Sequence, residues 1–159
     1  MLHEPQLLLL DEPTAGVDPK ARRDFWEQIH ALAAEGITVL VSTHYMDEAE
    51  RCHQLGYIAY GSLLAQGTPQ EVLEGSGLST WSVEGEDLYQ LAGELRELPG
   101  ITQVVPFGNI LHVSGSDAGL LEAAIAPYRQ QPQRRWTRSE AGLEDAFIHL
   151  MDSARDNYQ

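Results

Sequence analysis

The chain has 159 residues, enough for one domain or two small ones, and 43% of them are hydrophobic, so it can bury a core. Its net charge of −14 repels phosphate backbones and anionic lipid, so nucleic acid and a bare membrane are poor partners. The one cysteine, Cys52, allows no internal disulfide. The apolar run 7–10 is far shorter than the ~20 residues of a membrane span. We therefore expect a cytoplasmic protein without a nucleic-acid partner.

The first elements in the chain are predicted to alternate between strand and helix. The run "QLLLL" at 6–10 is ended by two acids, which predicts a strand buried on both faces of a parallel sheet. Asp18 as N-cap and Pro19 as first helical residue predict a helix that ends at Gly36. The uninterrupted β-branched run at 37–43 predicts a second strand.

Three shorter elements are predicted next. A short helix covers about 46–53, and two strands within 54–67 surround a turn at Gly61 and Ser62. Thr68 caps a further short helix. Buried strands alternating with helices indicate an α/β layer architecture.

The later part of the chain has a different pattern of predicted elements. "EGSGLS" at 74–79 is the one flexible-looking linker. The order strand, helix, strand, strand, helix, strand then suggests a ferredoxin-like α+β domain at 76–139, although any small α+β sandwich fits. An amphipathic helix from Leu143 belongs to a last segment, 140–159, whose tail "SARDNYQ" is expected to fray.

The acids that follow the first predicted strand are candidates for catalysis. Asp11 and Glu12 would lie at the carboxyl edge of the sheet, where α/β folds bind ligands. In this Walker B arrangement, Asp11 holds Mg²⁺, usually through water, and Glu12 accepts a proton from the attacking water or orients it. The alternative is that the two acids only end the strand and turn the chain outward.

Two segments together resemble the ATPase subunits of ABC transporters. "LLLLDEPTAGVDP" at 7–19 resembles their Walker B segment and D-loop, and "VLVSTHYMDEAERC" at 39–52 resembles the switch-histidine strand and the helix after it. The resemblance covers about 1–75 and is closest to exporter ATPases that work with ABC-2 type permeases. It implies the C-terminal half of an ATP-binding subunit, with a partial parallel sheet of the P-loop NTPase fold at 1–75 and an accessory C-terminal domain.

The resemblance also implies roles for single residues. Glu12 and His44 would be catalytic, His44 as the switch histidine that contacts the γ-phosphate, and Asp11 would be the metal ligand. The implied nucleotide-site and D-loop residues are Asp11, Ala15, Gly16 and Asp18. The D-loop touches the opposing ATPase subunit, and Ala15 departs from the serine that is commoner in the family.

Other interpretations of these residues stay open. His44 can instead cap the helix that follows it. A metal site is another alternative, with the candidate ligands His44, Asp47, Glu48, Cys52 and His53. Cys52 could be a reactive thiol, although a buried cysteine normally packs as a small hydrophobe. The three tryptophans are expected to be packing residues: Trp26, Trp81 and Trp136.

The sequence contains no phosphate-binding loop of the form G-x-x-x-x-G-K-[ST], and its one lysine, Lys20, follows no glycine run. The Leu-Ser-Gly-Gly-Gln type signature loop is absent as well. The resemblance therefore implies that a preceding half completes the site, and that affinity for ATP is lost without that phosphate cradle.

Two functions follow from these observations. The first is part of an ATP-hydrolysing subunit that powers an ABC exporter, with ATP and Mg²⁺ as cofactors. Its partners would be a membrane permease and a second ATPase subunit, a homodimer mate or a tandem half, at the inner face of the plasma membrane. The second is a non-catalytic interaction or regulatory fragment that docks to a full-length ATPase or its permease. A DNA-repair ATPase head of the SMC type is disfavoured by the acidic charge and the lack of heptads.

Overall fold

The computed structural model describes residues 5–154, which have an α/β architecture with small sheets. The chain divides into two compact units, Met1–Ala49 and Glu50–Gln159. The hairpin predicted within 54–67 and the short helix predicted after Thr68, both placed within 1–75 by the sequence, lie in the second unit. The domain limits at 75 and 139 stay predictions. None of the helices within residues 5–154 is long and apolar enough to cross a membrane.

The first unit is a two-stranded parallel sheet with two helices. Its elements are β1 (Leu7–Asp11), α1 (Pro19–Ala34), β2 (Thr38–Ser42) and α2 (Met46–Ala49). The strands pair in register from Leu7 opposite Thr38 to Asp11 opposite Ser42. The two predicted strands are confirmed.

Helix α1 begins and ends where its caps predict. The Asp18 side chain accepts hydrogen bonds from the backbone amides of Lys20 and Ala21, both at 3.0 Å, and Pro19 is the first helical residue. Gly36, with φ of 93°, follows the last turn and leads the chain into β2. The prediction for this helix is confirmed.

One face of the first sheet is open, so the prediction that "QLLLL" is buried on both faces is wrong. Leu7, Leu9 and Leu40 are 52%, 64% and 63% exposed. Successive residues of a strand point to opposite faces, and the residues that alternate with these leucines are half-buried. Helix α1 packs against β2 on that half-buried side.

Helix α2 and the hairpin correct two predicted boundaries. Helix α2 ends at Ala49 rather than near residue 53, because the chain turns at 50–51. The hairpin consists of β3 (Leu55–Ala59) and β4 (Ser62–Gly67). Its two-residue turn is Tyr60–Gly61 rather than Gly61–Ser62, because both turn residues have positive φ, 51° and 72°, while Ala59 pairs with Ser62.

Helix α3 (Pro69–Ser76) occupies much of the predicted linker. Thr68 and Glu71 form a capping box at its start, as the Thr68 prediction implies. Gly77 ends it in the left-handed conformation, and the next strand begins at Ser79. The prediction of a flexible linker at 74–79 is therefore wrong, since the chain passes from helix to strand in two residues.

The rest of the second unit follows the predicted order of elements. They are β5 (Ser79–Gly85), α4 (Leu88–Arg96), β6 (Gln103–Phe107), β7 (Ile110–Gly115), α5 (Ala118–Arg129) and β8 (Arg134–Ser139). The sheet order is β6-β7-β5-β8, and all neighbouring strands are antiparallel. Its core includes fully buried residues from strands and both helices: Val83, Leu91, Leu95, Val113, Leu121 and Ile125.

The last helix, α6 (Leu143–Ser153), confirms the predicted amphipathic segment. It packs against α3 and β4, and the ring of Phe147 stacks on that of Tyr57 with centroids 4.1 Å apart. Tail residues 155–159, for which fraying is predicted, lie outside the described residues.

Candidate functional site

The first feature of the site is the meeting of two strand ends. Asp11 ends β1 and Ser42 ends β2, and the two are paired in the parallel register. The Ser42 hydroxyl donates a hydrogen bond to the Asp11 carboxylate. Both residues are exposed. This edge, at the carboxyl ends of parallel strands, is where α/β sheets bind ligands.

Glu12 leaves the strand in an unusual backbone conformation. Its φ is 42°, a left-handed value that costs a non-glycine residue about 1 kcal/mol or more. Its backbone amide is held by the carbonyl of Ser42 at 3.0 Å and by the Ser42 hydroxyl at 3.2 Å. Such strain persists only where surrounding bonds enforce it, and it is concentrated at functional sites.

The Glu12 side chain meets His44, which follows β2. Nδ1 of His44 lies 3.2 Å from Oε1 of Glu12, and both side chains are exposed. Because an ionised carboxylate only accepts hydrogen bonds, Nδ1 is the donor, which leaves Nε2 for another partner. The His44 ring also packs on the Tyr45 ring, with centroids 4.2 Å apart. The structure thus brings together the two residues that the resemblance implies to be catalytic.

Behind this pair lies a fully buried carboxylate, Glu48 of α2. Its Oε1 accepts a hydrogen bond from the Thr14 hydroxyl at 2.5 Å, and its Oε2 accepts one from the Thr43 hydroxyl at 2.7 Å. Nε of Arg22, on α1, lies 3.5 Å from Oε1. Burial raises the pKa of Glu48, but the hydrogen bonds from Thr14 and Thr43, the nearby Trp26 indole and the charge of Arg22 outweigh it and hold the pKa below its ordinary value.

Arg22 joins α1 to the segment after β2. Its guanidinium carbon lies 4.4 Å from the centre of the Tyr45 ring, and Nη1 lies 3.8 Å from an oxygen of Asp47. The sequence-based interpretation missed Arg22, Ser42, Thr14 and Thr43 as parts of the site. The one available signal was the four-residue spacing of Glu48 from His44, which was considered only for metal binding.

The segment after Glu12 makes two consecutive turns before α1. The amide of Ala15 donates to the carbonyl of Glu12, and that of Val17 to the carbonyl of Thr14, both at 3.1 Å. Ala15 and Gly16 are exposed, and Gly16 has φ of 72°. Asp18 caps α1. The predicted D-loop residues therefore form an exposed loop, which the structure does not bring onto the Glu12–His44 pair.

The side chains at this edge of the sheet suit Mg²⁺, but they do not suit a metal that needs several histidine, cysteine or acidic ligands. Within residues 5–154, no group of three or more histidine, cysteine or acidic side chains is arranged to hold a metal ion. The alternative site built from His44, Asp47, Glu48, Cys52 and His53 is therefore wrong. Mg²⁺ is usually bound through one or two carboxylates, with waters and phosphate oxygens completing its shell, and Asp11 fits that requirement.

Comparison with known proteins identifies the relatives of the chain. A scan against protein-family models finds no match. The chain is 36% identical over 152 residues to the Nod factor export ATP-binding protein I of Paraburkholderia xenovorans, covering 94% of this chain and 48% of that protein. The corresponding protein of Burkholderia pseudomallei is 35% identical over 156 residues, with the same coverage.

A shorter match has a higher sequence identity. The probable multidrug ABC transporter ATP-binding protein YbhF of Escherichia coli is 51% identical over 72 residues, which are 45% of this chain and 12% of that protein. The chain thus spans about half the length of the Nod factor relatives and a small part of YbhF. Its homologues are ATP-binding proteins of the ABC transporter class. More narrowly, the chain matches part of an exporter ATPase, which confirms the resemblance seen in its sequence.

Proposed function

We propose that this chain supplies the hydrolytic side of an ATP site in the ATP-binding protein of an ABC-type exporter. The observation that carries the proposal is the contact between Glu12 and His44 beside Asp11, at the end of two parallel strands. By their resemblance to ABC transporter ATPases, these three residues would be the acidic pair and the switch histidine. The strained backbone of Glu12 supports a functional role for this edge.

Asp11 is proposed to hold Mg²⁺. Its carboxylate is exposed at the sheet edge, and Ser42 fixes one of its oxygens through a hydrogen bond. Mg-ATP, when bound, supplies the phosphoanhydride bond to be cleaved and the metal that neutralises phosphate charge. The role of Asp11 is to keep a negative oxygen in a fixed position at this edge.

Glu12 and His44 are proposed to handle the water and the terminal phosphate. One oxygen of Glu12 is engaged by Nδ1 of His44, so the other can accept a proton from the attacking water. Nε2 of His44 is left to face the phosphate, to which it can donate only when the ring carries both protons. The contact between the two side chains keeps the base and the phosphate sensor at one fixed separation.

The exposed loop with Ala15, Gly16 and Asp18 is proposed to contact a second ATPase subunit. A membrane permease is the other proposed partner, which would hold the protein at the inner face of the plasma membrane. The order β6-β7-β5-β8 supports a ferredoxin-like split βαβ arrangement for 76–139. We propose that this region and α6 form an accessory domain with a regulatory or dimer-stabilising role, and that 1–75 is the C-terminal part of the ATPase domain.

A non-catalytic fragment is the second candidate function. One observation favours it: the leucine face of the first sheet is open. An exposed apolar face of this kind marks a surface that binds another protein segment. In that case the chain would dock to a full-length ATPase or its permease.

A chimera distinguishes the two candidates. In it, this chain replaces the matching part of the Paraburkholderia xenovorans relative, whose remaining half supplies the rest of the protein. Calorimetric titration of the chain alone with Mg-ATP should show no saturable binding at millimolar concentration. The chimera should bind and hydrolyse Mg-ATP as its parent does. A chimera that binds Mg-ATP without hydrolysing it would favour the non-catalytic function.

A further inference from the structure

The buried carboxylate of Glu48 is bonded to both segments that carry the proposed catalytic residues. Its Oε1 accepts from Thr14, two residues after Glu12, and its Oε2 accepts from Thr43, the residue before His44. Each oxygen therefore holds a different loop. The two loops have a common anchor, although they follow different strands.

Local hydrogen bonds link each of the two threonines to the proposed catalytic residue near it. The Thr43 hydroxyl oxygen, which bonds to Glu48, also accepts a hydrogen bond from the amide of Tyr45 at 3.1 Å. The residues on both sides of His44 are therefore held through this oxygen. On the other loop, the turn from Glu12 to Ala15 closes at 3.1 Å around Thr14. A displacement of either threonine from Glu48 would shift the side chain next to it.

We propose that Glu48 is a positioning residue that sets the separation of Glu12 and His44. The proposal rests on the proposed function, because it assigns Glu48 a role through that pair. In this role Glu48 acts through the two loops and is not itself a catalytic residue. Its function is to hold the two loops, with Arg22 supplying the compensating charge.

The chemistry of the anchor favours positioning over simple packing. Burying a carboxylate costs free energy, and a buried ion pair is often no more stable than apolar residues of the same shape. Valines in place of the threonines and leucine in place of Glu48 would pack a core without that cost. Directional hydrogen bonds to two loops give one defined arrangement, which apolar contacts specify less well.

Nuclear magnetic resonance of the 159-residue chain, without nucleotide, tests the proposal. The measured quantity is the Overhauser effect between the His44 ring and the Glu12 side-chain protons, which the 3.2 Å contact predicts. The methyl resonances of Ile29, buried in the same unit, report whether this unit is folded. Glu48→Leu and Thr14→Val should lose the Overhauser effect and keep the Ile29 resonances.

Two variants serve as controls. Glu48→Gln keeps one acceptor oxygen and gains an N–H donor, from which the Thr43 hydroxyl can accept a hydrogen bond. It should therefore retain the Overhauser effect. Asp47→Asn alters the neighbouring acid, which also contacts Arg22 but neither threonine, and should retain it too. Should Glu48→Leu unfold, Thr14→Val and Thr43→Val decide the result. Persistence of the effect in folded Thr14→Val and Thr43→Val would overturn the proposal.

Kinetics in the chimera add a second readout. Misplacing catalytic groups by about 1 Å lowers rates by about 10²-fold, so Glu48→Leu should lower kcat to that extent with KM unchanged. Glu48→Gln should stay within about tenfold of the parent. Equal loss in both variants, or a change confined to KM, would contradict positioning. The Overhauser result is independent of hydrolysis, so it stands even if Glu12 proves not to be the base.

Discussion

Nδ1 of His44 lies 3.2 Å from Oε1 of Glu12, although the two residues follow different strands of the sheet. The parallel pairing of Asp11 with Ser42 brings the ends of those strands together, and the left-handed backbone of Glu12 directs its side chain across the gap. A contact between exposed side chains contributes little to stability. Its significance is therefore the geometry that it imposes on the proposed base.

The role of His44 can be tested by removing its ring. His44→Ala in the chimera should lower kcat by about 10²-fold, because one donor to the developing charge is lost. Binding of Mg-ATP, measured by calorimetry, should change much less. His30→Ala, an exposed histidine on α1, is the matched control and should keep the parental rate. A parental kcat in His44→Ala would remove His44 from the mechanism.

The buried Glu48 predicts how the stability of the first unit depends on pH. Its folded-state pKa is below the ordinary value of 4.5, so the stabilisation is present above pH 4.5 and is lost as pH falls through the folded pKa. Glu48→Gln should be less stable than the wild type at pH 7, and the difference should shrink below pH 4.5.

Urea unfolding at a series of pH values, followed by the Trp26 indole resonance, measures this difference. The signal is specific to the first unit, so the lowered pKa of Glu71 in the second unit does not contribute to it. A difference between wild type and Glu48→Gln that stays constant from pH 7 to about pH 3 would contradict the account.

In the second unit, Asp145 should stabilise the packing of the N-terminal end of α6. Its Oδ2 lies 3.0 Å from Nδ1 of His112 and accepts from the amide of Gly142 at 3.0 Å, and the residue is 1% exposed. Asp145→Ala leaves both partners unpaired and should lower the free energy of unfolding by about 2–4 kcal/mol. Glu144→Ala, an exposed neighbour in the same turn, should change it by less than about 0.5 kcal/mol. Equal effects in urea unfolding would contradict this role.

The open leucine face predicts a contrast between neighbouring positions of β1. Leu9 is 64% exposed, whereas Leu10 lies on the half-buried side. Leu9→Thr should reduce binding of an apolar dye such as ANS and leave the free energy of unfolding within about 0.5 kcal/mol. Leu10→Thr should lower that free energy by more than about 1 kcal/mol. The reverse order of stabilities would mean that the face of Leu9 is covered.

Local signals in the sequence predicted most of the elements. Asp18 and Thr68 mark helix starts with their own hydrogen bonds, and apolar runs mark the strands, because both depend on nearby residues. The burial of "QLLLL" was overestimated, because burial depends on what covers a strand rather than on its composition. The hairpin turn was displaced by one residue, because Tyr60 adopts a left-handed conformation that its residue type disfavours.

The candidate site was predicted only in part. Glu12 and His44 belong to recognisable segments, and the structure brings them into contact. The bonds of Glu48 to Thr14 and Thr43 join loops that are distant in sequence, so no local pattern predicts them. A metal site at His44 and Glu48 follows from spacing alone, but Glu48 is turned inward to the threonines and His44 outward to Glu12.

The central claim is that Glu12 is the base of an ATP-hydrolysing site, and its most direct test is Glu12→Gln in the chimera. Glutamine keeps the size of the side chain and removes its capacity to accept a proton. We expect unchanged binding of Mg-ATP and a kcat lowered by about 10²-fold or more. A Glu12→Gln chimera that binds Mg-ATP and hydrolyses it at the parental rate would contradict the account.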